Sequence, residues 1–160
     1  MTDTPAARPA TSRIFRREIT LEQLAQIHRD TVVGLLGIEF TEIGDGTLAA
    51  RMPVDRRTVQ PAGILHGGAS VTLAETLGSC AAWLTLDDDR RAVGLDINAN
   101  HLRAMRDGWV YGRCHPVHLG RSTQVWQIEI SDDQGRPVCT SRLTMAVVPN
   151  PQVPAAPPAR

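Results

Sequence analysis

Excess charge of either sign is missing from this sequence. Its 160 residues carry 17 basic side chains against 17 acidic ones, a formal net charge of zero. Nucleic acid and anionic membrane surfaces both select for clustered positive charge, so neither is an expected partner. Long apolar runs are missing too, since each breaks well short of the ~20 residues that cross a bilayer. The amino terminus, M-T-D-T-P-A-A-R-P-A, lacks the basic-then-apolar plan of a secretory signal. Cysteine is scarce: Cys80, Cys114 and Cys139 are scattered, odd in number and never spaced C-x-x-C. They argue against a disulfide frame or a zinc site and read as reduced thiols in a cytosolic protein. No internal repeat, no G-x-x-x-x-G-K-[ST] phosphate loop and no G-x-S-x-G nucleophile elbow occurs. His115-Pro-Val-His118 has the spacing of a ligand pair but no third ligand beside it, so no metal and no cofactor are expected.

What is present fits one domain of moderate core. Residues 1–12 and the proline-rich stretch 149–160 read as tails, the first disordered, leaving 13–148 as the folded unit. Thr20-Leu21-Glu22-Gln23 fits a capping box, opening a helix through Leu24 and Ile27-His28. A short helical piece follows Thr31. Ile38 to Ile43 alternates as a strand, Gly44-Asp45-Gly46 turns, and Thr47 to Met52 returns, a hairpin closed by Pro53. In the second half, Ala92–Asn100 alternates with Val93, Leu95, Ile97 and Ala99 on one face. Trp109–His115 is the next strand, ended by Pro116. Ser122–Ile130, the turn Asp132–Gly135 and Pro137–Val148 complete a meander. A hairpin, one long apolar helix and a run of strands predict an α+β domain: six antiparallel strands wrapped around one central helix.

That helix is the focus. It follows Gln60-Pro-Ala-Gly-Ile-Leu-His66-Gly67-Gly68 and runs toward Asp87-Asp88-Asp89. Leu65, Ala69, Leu73, Leu77, Cys80, Ala81 and Leu84 recur at the spacing of a buried face, whereas Thr72, Glu75, Thr76 and Ser79 take another side. A glutamate among Leu73, Ala74 and Leu77 is costly to bury unless it is used. A helix N-terminus offers free N–H groups and about half an elementary positive charge, and Gly67 and Gly68 leave that backbone open to a ligand. The competing reading of the glycines is a tight turn into the helix. Gln60 and His66 equally suit a loop glutamine and a helix cap, Ser79 a neutral filler, and Trp83, Trp109 and Trp126 core packing, with one free to border a pocket.

The residues P-A-G-I-L-H-G-G-A-S-V-T-L-A-E-T-L-G-S, with the order of elements around them, resemble the hotdog-fold acyl-CoA thioesterases. The likeness spans roughly 14–148 and is greatest to the phenylacetyl-pathway, 4-hydroxybenzoyl-CoA and 1,4-dihydroxy-2-naphthoyl-CoA branch. Val93–His101 and His118–Ile130 resemble the dihydroxynaphthoyl-CoA group in particular. The resemblance implies an acyl-CoA thioesterase, with an aromatic acyl group as first expectation. Glu75 is then nucleophile or general base, the Gly67 N–H binds the thioester oxygen, Gln60 and His66 flank the thioester, and Ser79 stands beside Glu75. It also implies that Gly94, His101, Leu102, Arg103 and Arg106, together with His118, Leu119, Gly120, Arg121, Ser122 and Thr123, line the CoA and acyl channel. Arg142 is a weaker candidate, since any single surface arginine is as readily a solvated side chain.

Gly67 and Glu75 lie eight residues apart, so on one helix they are separated by about 12 Å along the axis. One thioester does not bridge that gap. The donor and the carboxylate must therefore come from different copies, which predicts a homodimer with the site at its interface; the resemblance implies further pairing into a homotetramer. Two other activities stay open on sequence alone: a hydratase or dehydratase acting on acyl thioesters, and a non-catalytic acyl-CoA binding domain.

Overall fold

The computed structural model describes residues 13–152. The expected tail at 1–12 and residues 153–160 of the proline-rich end lie outside the described residues. Helices α1 (Leu21–His28) and α2 (Val32–Leu36) precede the hairpin β1 (Glu39–Ile43) and β2 (Leu48–Pro53). The long helix α3 (Gly67–Leu84) follows, then β3 (Arg90–His101), β4 (Trp109–Leu119), β5 (Thr123–Ser131) and β6 (Pro137–Pro149). The strands form one six-stranded sheet in the order β1-β2-β4-β5-β6-β3, every pairing antiparallel.

Each helix starts after a capping side chain. Thr20 and Gln23 exchange capping-box hydrogen bonds at α1, and Thr31 accepts from the Val33 N–H at α2. Helix α3 packs on β2, β3, β4, β5 and β6, so the sheet curls around it. Leu73, Leu77 and Leu84 are fully buried. Burial of each contributes about 1.5–3 kcal/mol relative to leaving it in water. Ser70, Ala74, Gly78 and Ala82 are buried as well, a wider contact than the single face expected, while Leu65 is only half-buried. Small residues permit this close approach: a Cβ on Gly78 would sit 2.6 Å from Leu143 Cδ2, and one on Gly112 would sit 2.7 Å from Leu77 Cδ1.

Two boundaries and one strand pattern differ from expectation. Helix α3 stops at Leu84, short of the acidic triplet, because the N-terminal segment takes its last carbonyls: the Arg16 and Arg17 N–H groups donate to Leu84 O and Arg17 Nε donates to Trp83 O. Cationic side chains at that end also complement the helix dipole. Strand β4 does not end at Pro116 but continues to Leu119 through a register shift between Pro116 and His118. Proline is tolerated there because β2 pairs only with Trp109–Cys114, which leaves the far half of β4 with one neighbour. In β3 the alternation is broken between Gly94 and Asp96. The extra residue reverses the faces, so Ile97 and Ala99 pack against the core while Val93 and Leu95 are 43% and 63% exposed.

The β5–β6 turn carries a buried carboxylate. Burial works against ionisation of Asp132, but the Arg136 and Gln134 N–H groups and the Arg136 guanidinium outweigh it and hold the carboxyl below its ordinary value. A depressed native pKa stabilises the fold above the unfolded-state value and loses that contribution as pH falls through the native one. Asp132→Asn is therefore expected to lower Tm at neutral pH, with the gap to the parent closing as pH drops below 4, read from melts across pH.

Candidate active site

The entrance to α3 is built by the loop before it. Asp55 and Arg57 pair at 2.7 Å, the Asp55 carboxyl is held at about 2 by hydrogen bonds from Arg57, and Thr58 Oγ1 donates to Pro53 O. The loop is then tied down at both ends: His66 N–H donates to Thr58 O and Leu65 N–H to Met105 O. Gln60 Oε1 accepts from the Ala62 N–H, and the amide N–H groups have no acceptor among the described residues. His66 is the N-cap, its Nδ1 accepting from the Gly68 N–H at 2.8 Å. In neutral imidazole the proton therefore sits on Nε2, a donor aimed away from the backbone.

Among the first N–H groups of α3, Gly68 is bonded to His66 Nδ1, and Ala69 and Ser70 donate to His66 O. The Gly67 N–H has no acceptor among the described residues. A Cβ at Gly67 would lie 2.7 Å from His101 Nε2, so only glycine lets that ring lie against the helix start. His66, Gly67 and His101 are thus assembled at one end of α3, after the loop that carries Gln60. Arg106 joins them, its guanidinium 4.0 Å from the Cβ position of Gly63. Leu102 and Arg103 are exposed on the same connection, their N–H groups both donating to Val138 O.

Glu75 stands two turns along. Contrary to the buried setting expected, it is exposed, because the seam Thr72–Glu75–Ser79 is the part of α3 left outside the curl of the sheet. Its Oε1 lies 3.5 Å from the Cβ position of Gly94, which joins the two expected residues. It opens on a cleft of about 420 Å³ shared with Thr72, Thr76, Ser79, Cys80, His28, Val32 and Val33. Ser79 is one turn away but donates to Met145 Sδ at 3.9 Å, a weak contact, and not to Glu75. The contribution of α1 and α2 to this cleft has no signal in the sequence beyond a histidine at the end of a helix. Cys80 on its wall and Cys114 in the core are pushed up to about 12 by burial, leaving both as thiols.

The third expected group is elsewhere. His118, Leu119, Gly120, Arg121, Ser122 and Thr123 form the β4–β5 turn, closed by the Gly120 N–H donating to Thr123 O. Leu119, Gly120 and Arg121 line a cleft of about 650 Å³ at the C-terminal end of α3 with Arg13, Arg16 and Arg90. Arg90 was not singled out from sequence; it donates to Arg121 O and Val147 O. Arg142 belongs to none of these groups. It lies on the outer face of the sheet and donates to Gln127 Oε1. One chain therefore holds a donor end, a carboxylate and an arginine-lined turn at three stations along α3.

Comparison with known proteins bears on the family and the fold. The family description "Thioesterase superfamily" matches residues 62–139. The 1,4-dihydroxy-2-naphthoyl-CoA hydrolase of Escherichia coli is 56% identical over 135 residues, 84% of this chain and 99% of that protein. The proofreading thioesterase EntH of Cronobacter turicensis is 55% identical, over 84% of this chain and 98% of its own. Among solved structures, thioesterase HI1161 of Haemophilus influenzae superposes with a TM-score of 0.83 at 49% identity, covering 85% of this chain and 95% of that one. A Q49A mutant of thioesterase PA1618 from Pseudomonas aeruginosa gives 0.84 at 51% identity, covering 86% and 99%. With its central helix, wrapped sheet and helix-start glycine, the chain belongs to the thioesterase superfamily and is a hotdog-fold thioester hydrolase.

Proposed function

We propose that the chain hydrolyses an aromatic acyl-CoA to the free acid and CoA, at sites shared between two copies. The observation that carries this reading is that the Gly67 N–H and the Glu75 carboxylate, both without partners among the described residues, belong to positions about 12 Å apart along one unbroken helix. Strand β3 supports the second copy. It is a long sheet edge with unpaired backbone, and it exposes Val93 and Leu95. Antiparallel pairing of two such edges sets the Gly94 region of each strand toward the His101 end of the other, and so Glu75 toward the partner's helix start. Pairing of two dimers into the tetramer that the resemblance implies leaves this logic unchanged.

At such a site the Gly67 N–H, reinforced by the helix dipole, binds the carbonyl oxygen as it becomes an oxyanion. The amide of Gln60 and the Nε2–H of His66 are the further donors that this reading assigns to the thioester. Glu75 either attacks the carbonyl carbon, expelling CoA thiolate and giving an anhydride that water cleaves, or takes a proton from water as that water attacks. Single turnover in oxygen-18 water separates the routes, because only the anhydride route can leave label in the Glu75 carboxylate. Arg103 and Arg106, exposed beside the helix start, suit the CoA phosphates. A panel of acyl-CoAs with free-thiol detection is expected to give kcat/KM for benzoyl-type esters about tenfold or more above straight-chain esters of similar size, about 1.4 kcal/mol of pocket complementarity. Release of CoA from none of them, or preference for the straight chains, overturns the proposal.

A further inference from the structure

We infer that His28 is a specificity residue that accepts a hydrogen bond from a hydroxyl group on the acyl chain of the substrate; the inference rests on the acyl-CoA reading above. His28 closes α1 and faces α3. Its Nδ1 is 2.8 Å from Leu24 O. A carbonyl oxygen only accepts, so Nδ1 carries the proton and Nε2 of the neutral ring presents a lone pair. The ring tilts on Phe40 with centroids 5.3 Å apart, which fixes its direction. The sole partner of Nε2 among the described residues is the Cys80 thiol at 3.5 Å. A thiol is a weak donor, and burial keeps this one protonated. His28 is thus an oriented acceptor with a poor donor opposite it.

Its position gives that acceptor a use. The cleft beside Glu75 continues into a second, apolar cleft of about 220 Å³ between α1 and α3, and His28, Ser79 and Cys80 border both. Ile27 and Trp83 close the far side. Ser79 and Cys80 lie one turn of α3 beyond Glu75. A para-hydroxybenzoyl group spans about 6 Å from carbonyl carbon to hydroxyl oxygen, close to the helical pitch of about 5.4 Å. A ring whose carbonyl meets Glu75 therefore brings its far hydroxyl level with His28 Nε2, with apolar walls for the ring itself. The hydroxyl replaces the thiol as donor at the shorter separation of an O–H···N bond, and an unsubstituted ring leaves the histidine with the thiol alone.

The test compares kcat/KM for 4-hydroxybenzoyl-CoA and benzoyl-CoA in the parent, His28→Phe and His28→Gln. One net hydrogen bond corresponds to roughly a three- to tenfold preference. The parent is expected to favour the hydroxylated ester by that factor. His28→Phe is expected to abolish the preference by slowing the hydroxylated ester alone, and His28→Gln, which keeps an acceptor, to restore part of it. Binding of 4-hydroxyphenacyl-CoA and phenacyl-CoA, thioethers that do not hydrolyse, gives the same ratio without turnover and keeps the result independent of whether hydrolysis is the reaction. Equal values for the two ligands in the parent, or an unchanged ratio in His28→Phe with its thermal melt intact, overturns the assignment. Loss of activity toward every acyl-CoA with a preserved binding ratio would instead strike at the proposed reaction.

Discussion

Glu75→Gln is expected to lower kcat by about a thousandfold, within the range that loss of a positioned base or nucleophile costs, while leaving Tm within about a degree of the parent. Both halves follow from the structure. The side chain is exposed, and neither hydrogen bond nor ion pair engages it among the described residues, so its replacement disturbs nothing that holds the fold. Its Oε1 lies 3.5 Å from the Cβ position of Gly94, where no side chain competes for the space at its carboxylate. The amide keeps the shape and removes the negative charge, so a loss of rate reports chemistry and not packing. Acyl-CoA hydrolysis by free-thiol release, with thermal melts on the same samples, checks both. A variant that hydrolyses as fast as the parent sinks the assignment of Glu75, and a large fall in Tm would place the carboxylate in the structural framework instead.

The glutamate also shows what sequence reading captures and where it stops. The cap at Thr20, the short helix after Thr31, the Gly44–Gly46 turn and the order of strands were legible, because each is a local pattern with a local physical cause; His66 as a cap was legible only as the competing reading. The helix-start glycine and the carboxylate two turns later were legible for the same reason. The exposure of Glu75 was legible only in part: the spacing set it with Thr72, Thr76 and Ser79 off the buried face, yet its apolar neighbours argued for burial. Its neighbours Leu73, Ala74 and Leu77 are buried, but the strip through Thr72, Glu75 and Ser79 falls on the one seam the sheet leaves open. Which seam that is depends on how far the sheet curls, a property of strand pairs distant in sequence. The bulge after Gly94 was hidden likewise: Val93, Leu95, Ile97 and Ala99 alternate perfectly, and one unpaired residue divides them between faces. The wall contributed by His28, Val32 and Val33 comes from helices whose docking on α3 no local pattern records.

Mixing two inactive variants is expected to restore activity, and this separates a shared site from one confined to a chain. The pair is Glu75→Gln and Gly67→Val. At Gly67 a Cβ would already lie 2.7 Å from His101 Nε2, so a branched side chain displaces that ring and blocks approach to the N–H. Each variant alone damages both sites of a two-fold dimer. In a mixed dimer the lesions segregate: one site inherits both, and the other inherits the intact Gly67 of one chain and the intact Glu75 of its partner. Random assembly from equal amounts makes half of the dimers mixed, each with one working site of two, so activity returns to about a quarter of the parent level, far above the background of either variant. Co-refolding the variants from denaturant and assaying acyl-CoA hydrolysis reads this directly. Activity that stays at the sum of the two backgrounds, while size measurements show mixed dimers present, would mean that donor and carboxylate serve the same chain. The 12 Å of helix between Gly67 and Glu75, about eight residues at the standard rise, is the reason to expect the opposite, since one glutamate side chain is too short to span two helical turns back to that backbone N–H.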